Sequence, residues 1–433
     1  MAQAIEQSSQ SGVVQVMPPL HRQVRWWILG LLFFVTVINF VDRLTLSFVA
    51  PVLRDTFKLT NQDYGFIVSS FVFGMMIGEF PMGWLMDRRG PRFGLSFAVI
   101  WWSIANALHA VGMSKWHFSA LRFWMGTGEC GNYSGGVKVV GQWFPPKERA
   151  FAIGIFNGAS LIAGMITPPL VVLITLRLGW QAAFLIPSLI GMLWVFFWHS
   201  YYRAPEQHPQ LTAAERDYIN EGREEETGQA PTSLELLRLP QTWGLMLCRL
   251  LVGPVIQFYL FWLPEYLYRS RGLTLAAIGF VAVLPPIFGD VGSIGGGWTA
   301  GWLIKRGYSV ISARKIVMWA GAALCAMSVV VVLANVPVIW GAALCAVYLG
   351  HYALSANMFA AITDLIPGSA TARVTALTGI AGGLSGTLFP LLTGWLVDKV
   401  SFKPVFFIAA LMPAAGVAAL WLLAARKRPV AGE

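Results

Sequence analysis

Long apolar runs separated by short polar gaps make up most of this chain. Windows of about 20 apolar residues are long enough to cross a bilayer as helices. The pattern predicts twelve spans with approximate limits 26–50, 64–85, 93–113, 117–140, 150–175, 180–201, 242–268, 275–303, 313–334, 337–362, 373–396 and 402–425. We therefore expect an all-α integral membrane protein. The segment before Trp26 is polar and shows no signal-peptide pattern.

One long polar stretch, residues 202–241, separates the sixth span from the seventh. It contains a capping-box pattern from Thr212 to Glu215 and an acidic run at 224–226, which predict a solvated linker with one surface helix. The expected organisation is a tail (1–25), a six-helix half (26–201), the linker (202–241), a second six-helix half (242–425) and a tail (426–433).

The distribution of Lys and Arg between the short loops predicts the orientation, because positive loops resist translocation. Most of these residues fall on the side that holds both termini and the linker. The other side has only Arg54, Lys58, Lys115, Arg177, Arg269, Arg271, Lys399 and Lys403. We expect both termini in the cytoplasm and the protein in a bacterial inner membrane.

Composition supports a membrane protein and argues against a nucleic-acid binder. Of the 433 residues, 56% are hydrophobic and 12% are charged, whereas soluble proteins average about 25% charged residues. The net charge of +10 comes from Lys and Arg in short gaps, not from one solvated basic face. The four cysteines have no disulfide or metal-ligand spacing, so neither a metal site nor a cofactor is expected.

Internal repetition indicates two related halves. GWLMDRRG at 83–90 follows the second span, and GWLIKRG at 301–307 follows the eighth. Pro168 and Pro169 in the fifth span correspond to Pro390 in the eleventh. A six-span unit duplicated in parallel is a transporter plan in which the binding site lies between the halves near mid-bilayer.

The fourth span carries three ionisable residues, Arg122, Glu129 and Lys138. Charged side chains inside a membrane are costly, so they normally face a bundle interior and mark a substrate or ion path. Arg122 and Glu129 are seven residues apart and therefore share a helix face. Lys138 points roughly the opposite way and is interpreted as a stem that snorkels to the interface.

The first span contributes a second charged pair, Asp42 and Arg43. Arg43 lies about 25 Å from the inner edge of its helix, a depth comparable with that of Arg122. Two guanidiniums at one level suit a carboxylate, although either arginine could instead tie spans together through Asp42 or Glu129. A carboxyl group removed from water holds its proton more tightly, and a nearby guanidinium opposes this effect. Glu129 and Asp42 are therefore the predicted proton carriers.

Further polar residues within the spans have both a functional and a structural interpretation. Glu79 and Asp290 are second-choice proton carriers. Amide and imidazole groups suit sugar hydroxyls but also hydrogen-bond helices to each other. The candidates of this kind are Asn39, Gln257, His351 and Asn357.

Two other features are predicted to act on packing or conformation. Asp87, Arg88 and Arg92 lie in the loop after the second span, where they are expected to form a conformational latch. The glycine pairs Gly154/Gly158 and Gly382/Gly386 are expected to permit close contact between spans.

Several motifs resemble a known family. GWLMDRRGPR, joined to twelve spans and a central linker, resembles the signature loop of the major facilitator superfamily. Within it, NFVDR (39–43), GECGNYSGG (128–136) and WFPPKERAFAIGIFNGAS (143–160) are similar to the anion:cation symporter family. GDVGSIGGG (289–297) followed by LIKRG resembles the hexuronate and sugar-acid branch.

The resemblance implies proton-driven uptake of an organic anion by alternating access. A hexuronate is the first expectation, with an aldonate or aldarate as the alternative. An organic-anion exchanger or exporter and a sugar-acid sensor that does not translocate its ligand remain further alternatives. An enzyme is not expected, since no nucleophile with its base or HExxH pattern is present. The expected partners are a small organic anion and the bilayer, and the protein is expected to function as a monomer.

Overall fold

The computed structural model describes residues 23–221, 232–366 and 368–425. The ends of both predicted tails and the acidic run at 224–226 lie outside these residues. The described residues are mostly helical, and ten helical segments are long and apolar enough to cross a membrane. One of these segments is divided in two at Gly90, and the charged helix Lys115–Trp143 is a further span, so the helices correspond to the twelve spans that the apolar pattern predicted.

The spans are numbered α1 to α12 in chain order. In the first half they are α1 (Val24–Phe57), α2 and α3 (together Asn61–Leu108), α4 (Lys115–Trp143), α5 (Pro146–Leu178) and α6 (Trp180–Tyr201). In the second half they are α7 (Pro240–Arg269), α8 (Leu275–Val281 and Leu284–Lys305), α9 (Val310–Cys325 and Ser328–Leu333), α10 (Pro337–Leu365), α11 (Gly368–Lys399) and α12 (Lys403–Ala424).

Gly90 separates α2 from α3 within the continuous segment Asn61–Leu108. Its backbone has φ 75° and ψ 165°, a conformation that favours glycine, and Pro91 follows it. The segment begins with a capping box in which Thr60 and Asp63 each bond the other's backbone N–H. The GWLMDRRGPR loop is therefore the tight turn between two spans.

Glycines bring α2 and α4 into close contact. A Cβ atom added to Gly126 would lie 2.3 Å from the carbonyl oxygen of Phe71, and one added to Gly74 would lie 2.3 Å from that of Phe123. Helices in lipid associate through small residues of this kind, because van der Waals contact replaces the hydrophobic effect. The predicted pair Gly154/Gly158 behaves differently, since a Cβ at either position would meet nothing within 4 Å.

The face of the protein where α1 begins and α12 ends is called the terminal face, and the other is called the opposite face. At the opposite face the two halves are joined by ion pairs from α1 to α7. Arg54 pairs with Glu265, and Asp55 pairs with Arg269. The carboxylate of Asp398 in α11 also accepts bonds from the backbone N–H groups of residues 61 and 62 at the start of α2, at 3.1 and 2.8 Å.

Contact between the halves continues from the opposite face to about mid-membrane. The Cβ position of Gly65 in α2 is 2.4 Å from the carbonyl oxygen of Pro390 in α11. Deeper in the membrane, the Cβ position of Gly383 is 3.3 Å from the Cγ atom of Met76. Within the described residues, the ion pairs between α1–α6 and α7–α12 lie at the opposite face. The halves are therefore closed there and separate toward the terminal face.

The linker packs on the terminal face through a short helix, Ala213–Asn220. Thr212 accepts a bond from the N–H of Glu215 at 3.2 Å, as the capping pattern predicted. The Glu215 side chain does not complete the box. It is fully buried and accepts bonds from the N–H groups of Val24 and Arg25, each at 3.2 Å. Tertiary packing thus gives this carboxylate to the N-terminus of α1, where the helix dipole favours an anion.

Candidate functional site

Arg43 of α1 and Glu129 of α4 form an ion pair inside the first half. Arg43 Nε donates to Glu129 Oε2 at 2.9 Å, with 17% of the arginine side chain exposed and none of the glutamate side chain. Glu129 Oε1 is buried without a hydrogen-bond partner. The carboxyl group therefore has one oxygen bound to a guanidinium and a second, buried oxygen without a hydrogen-bond partner.

Asn39 and aromatic rings position the Arg43 guanidinium. Asn39, one turn earlier on α1, accepts a bond from Arg43 Nη2 at 3.2 Å. The guanidinium carbon lies 4.5 Å from the ring centroid of Phe40 and 5.6 Å from that of Phe71. Both distances fall within the range of cation–π attraction. Asn39 is thus a neighbour of the ion pair, as its spacing from Arg43 predicted.

Arg122 lies next to this pair but is sealed from the open space. It is 1% exposed, and its Nη1 donates to the carbonyl oxygen of Arg43 at 3.2 Å. Its guanidinium carbon is 5.4 Å from the ring centroid of Phe71, so that ring contacts both cations. The shared level predicted for Arg43 and Arg122 is consistent with this contact. In this conformation, however, Arg43 is the more exposed of the two.

Asp42 faces away from Arg43 and bonds to α3. Its carboxylate is fully buried and accepts bonds from Trp102 Nε1 at 3.1 Å and Asn106 Nδ2 at 2.7 Å. The structure gives it no ion pair with Arg43, which was the structural alternative for this residue. The one-residue offset between Asp42 and Arg43 turns them about 100° apart on the helix.

The predicted polar residues of the second half have different environments. Gln257 of α7 is half-buried, and its Oε1 lies 2.4 Å from the Cβ position of Gly386 in α11. His351 is buried and bonds to Ser355 within α10 at 3.3 Å. Asn357 is fully buried and accepts from Arg314 Nη1 at 3.1 Å. The polar atoms of Asn357 are therefore engaged in contacts within this half.

The second-choice acids lie outside the Arg43–Glu129 pair. Glu79 of α2 is exposed. Asp290 of α8 is half-buried, and its Oδ1 atom is buried without a partner. Neither forms an ion pair within the described residues.

The predicted latch residues surround the α2–α3 turn at the terminal face. Asp87 pairs with Lys138 of α4 at 2.7 Å, so Lys138 reaches the interface but has a specific partner there. Arg92 donates to the carbonyl oxygen of His199, near the end of α6, at 2.7 Å. Arg88 stacks at 5.1 Å on Trp84. Each of these contacts lies within the first half.

Sequence reasoning did not single out Arg249, which lies inside α7. Its guanidinium carbon is 5.1 Å from the ring centroid of Phe359 in α10, and the Cβ position of Gly382 is 3.0 Å from its Nε. The sequence could have identified Arg249, because it is an arginine within an apolar span, and such residues are rare and often functional, as was argued for Arg122. The glycine pair Gly382/Gly386 was expected to permit close contact between spans, and it accommodates the side chains of Arg249 and Gln257 from α7.

The Major Facilitator Superfamily family model matches residues 32–313 and 299–433 of the chain. The chain belongs to the major facilitator superfamily. This superfamily transporter is 30% identical over 410 residues to the hexuronate transporter of Escherichia coli strain K12, covering 93% of this chain and 95% of the relative. It is 32% identical over 397 residues to the probable L-galactonate transporter of the same strain, covering 90% and 87%.

The fold is also that of solved transporters of this type. The inward-open structure of the xylose transporter XylE from E. coli matches with a TM-score of 0.70 at 16% identity, covering 92% of this chain and 95% of the other. This superfamily member is therefore a multi-pass membrane transporter and not an enzyme.

Proposed function

We propose that this protein is a proton-coupled importer of a sugar acid, with a hexuronate such as galacturonate or glucuronate as its substrate. The observation that carries the proposal is the Arg43–Glu129 ion pair. The guanidinium of Arg43 can bind the carboxylate of a substrate, and the carboxylate of Glu129 can accept a proton. The relatives named hexuronate and probable L-galactonate transporters support the substrate class. The second of these names makes an aldonate the second candidate substrate.

The pair couples the two ligands through a change of partner. A proton on Glu129 weakens its bond to Arg43 and frees the guanidinium for the carboxylate of the substrate. A bound carboxylate in turn keeps Arg43 away from Glu129, so Glu129 retains its proton. By thermodynamic linkage, the factor by which the proton raises the affinity for the anion equals the factor by which the anion raises the affinity for the proton. When the anion leaves, Arg43 returns to Glu129 and expels the proton.

The conformation fits the end of this cycle. In the proposed orientation the terminal face is cytoplasmic, so the protein is open to the cytoplasm and closed to the outside of an inner membrane. Arg43 is paired with Glu129 in this form, as expected after the anion and the proton have left. Asp42 would stabilise the site as a buried hydrogen-bond acceptor and is the secondary proton carrier.

Uptake into proteoliposomes tests the proposal. The compounds are galacturonate, glucuronate, galactonate, glucarate and neutral glucose, with a gradient that is acidic outside. We expect accumulation of a sugar acid and none of glucose. Equal accumulation with an acidic interior would contradict proton symport and favour an exchanger, and binding without uptake would favour a sensor.

The Glu129→Gln variant tests the role of the acid. We expect it to retain counterflow exchange and to lose accumulation driven by the proton gradient. Asp217→Asn is the matched control, since it neutralises an exposed acid of the linker helix, outside the spans, that has no ion pair among the described residues. Full accumulation by Glu129→Gln would reject its role as the proton carrier.

A further inference from the structure

Arg249 is a membrane-embedded cation without an acidic partner among the described residues. Nine residues beyond Pro240, it lies about 14 Å along α7. Its guanidinium carbon lies 5.1 Å from the ring centroid of Phe359 in α10. An unpaired cation at such a depth is costly, so it normally marks a ligand or ion path.

The guanidinium of Arg249 is accessible. The residue is half-buried, and none of its nitrogens is among the buried side-chain atoms that lack a partner. Arg122 is the opposite case, with 1% exposure and two sealed nitrogens. Arg43 is partly exposed, but its Nε is bound to Glu129. In the form open to the terminal face, Arg249 therefore offers a partly exposed guanidinium that pairs with no carboxylate of the described residues.

Gly382 and Gly386 of α11 make room for two polar side chains of α7. The Cβ position of Gly382 is 3.0 Å from Arg249 Nε, and that of Gly386 is 2.4 Å from Gln257 Oε1. This Oε1 is buried and has no hydrogen-bond partner. The two glycines are four residues apart and share a helix face. Arg249 and Gln257 thus form a polar strip along α11, with donors and an unused acceptor.

The strip lies at the boundary between the two halves. Gly383, next to Gly382, contacts Met76 of α2 in the first half. Arg43 is 19 residues beyond Val24, about 29 Å along α1, whereas Arg249 is about 14 Å along α7 from the same face. Arg249 is therefore nearer to the open terminal face than the Arg43–Glu129 pair.

We propose that Arg249 and Gln257 form a second substrate-binding site in the second half, in which Arg249 binds the carboxylate of the sugar acid and Gln257 binds a hydroxyl group. This site holds the anion between Arg43 and the terminal face, so the anion has a positive partner when Arg43 returns to Glu129. The inference rests on the proposed function for the class of anion. It adds Arg249 to the candidate binding residues of the second half, which already include Gln257.

The test is equilibrium binding of galacturonate, galactonate and galactarate to the purified full-length protein, with neutral galactose as the uncharged probe. We expect Arg249→Gln to raise the Kd of the acid that binds wild type by at least about tenfold, and Arg249→Lys to recover part of that loss. The melting temperature of each variant is measured alongside.

Lys315→Gln is the matched control. It removes a cation of the second half that stacks on Trp421 at 5.1 Å, away from the strip, and its Kd should equal that of wild type. Wild-type Kd in a folded Arg249→Gln variant overturns the assignment of Arg249 and leaves the proposed function standing. Failure of wild type to bind any of the three acids overturns both. An equal loss in Lys315→Gln would make the effect a general one of charge and would also overturn the assignment.

Discussion

Arg43 and Glu129 join α1 to α4 through an ion pair of 2.9 Å in which the glutamate side chain is fully buried. Removing one partner of such a pair is destabilising, because it leaves an uncompensated buried charge. The contribution of the pair can therefore be measured as a change in stability.

Removal of Arg43 alone should destabilise the protein more than removal of both charges. Breaking a buried ion pair costs about 3–5 kcal/mol, whereas neutral replacement of both partners is often nearly neutral. We expect Arg43→Gln to lower the melting temperature in detergent and Arg43→Gln combined with Glu129→Gln to restore most of it. Equal melting temperatures for the single and double variants would contradict a charged Glu129 in the resting form.

The ion pairs at the opposite face should control which face is open. Glu265 of α7 pairs with Arg54 of α1, so Glu265→Gln weakens closure at that face. Each loss of about 1.4 kcal/mol in the free energy of closure at this face changes the ratio of closed to open protein about tenfold. Spin labels at the exposed positions 56 and 400 report the separation of the halves there, and we expect longer distances in the variant.

Asp364→Asn is the control for this gate. It removes a pair with Arg314 that lies within the second half, at 3.0 Å between α10 and α9. The label distances at the opposite face should then remain those of wild type. An unchanged distance distribution in Glu265→Gln would show that the Arg54 pair does not hold the halves together.

The close approach of α2 and α4 predicts a strong effect of one methyl group. Gly126→Ala places a Cβ 2.3 Å from the carbonyl oxygen of Phe71, which is backbone and must shift. Overpacking of this kind costs about 1–3 kcal/mol, so the melting temperature should fall. Gly154→Ala is the matched control, with nothing within 4 Å, and should melt as wild type does. Similar melting of both variants would refute this packing.

Glu215 should anchor the linker helix to the first span. Glu215→Ala leaves the N–H groups of Val24 and Arg25 without their acceptor, and a buried unsatisfied donor costs about 1–3 kcal/mol. We expect faster proteolysis within 213–220. Glu221→Ala removes an exposed pair with Lys147 and should change little, because such pairs contribute about 0–1 kcal/mol. Equal cleavage rates in the two variants would argue against the anchor.

Much of the site was accessible from sequence because charge inside an apolar span is rare. That rule identified Glu129 and Arg43, which the structure brings into contact, and Asn39, which holds Arg43 through spacing along one helix. The rarity of charge inside apolar spans also applies to Arg249. What distinguishes Arg249 is that no described acidic side chain pairs with it, and this is known only from the packing of the helices. Partners on other helices are not visible in a linear pattern.

Periodicity was a poorer guide to the partners of individual side chains. Glu215 matches a local capping box, yet its carboxylate serves α1, 190 residues away along the chain. Lys138 was expected only to reach the interface, and it binds Asp87 of the preceding helical hairpin. The glycines at 154 and 158 have the spacing of a close contact but meet no neighbour in this conformation.

The sequence by itself determined the twelve spans, because twenty apolar residues must form a helix to satisfy their backbone in lipid. It also determined which intramembrane residues carry charge. Only the tertiary structure decided which charges meet, since the pairing of Arg43 with Glu129 and of Arg54 with Glu265 depends on how helices pack across the bundle. It alone decided that the halves close at one face, because that state is set by contacts between residues more than 200 positions apart.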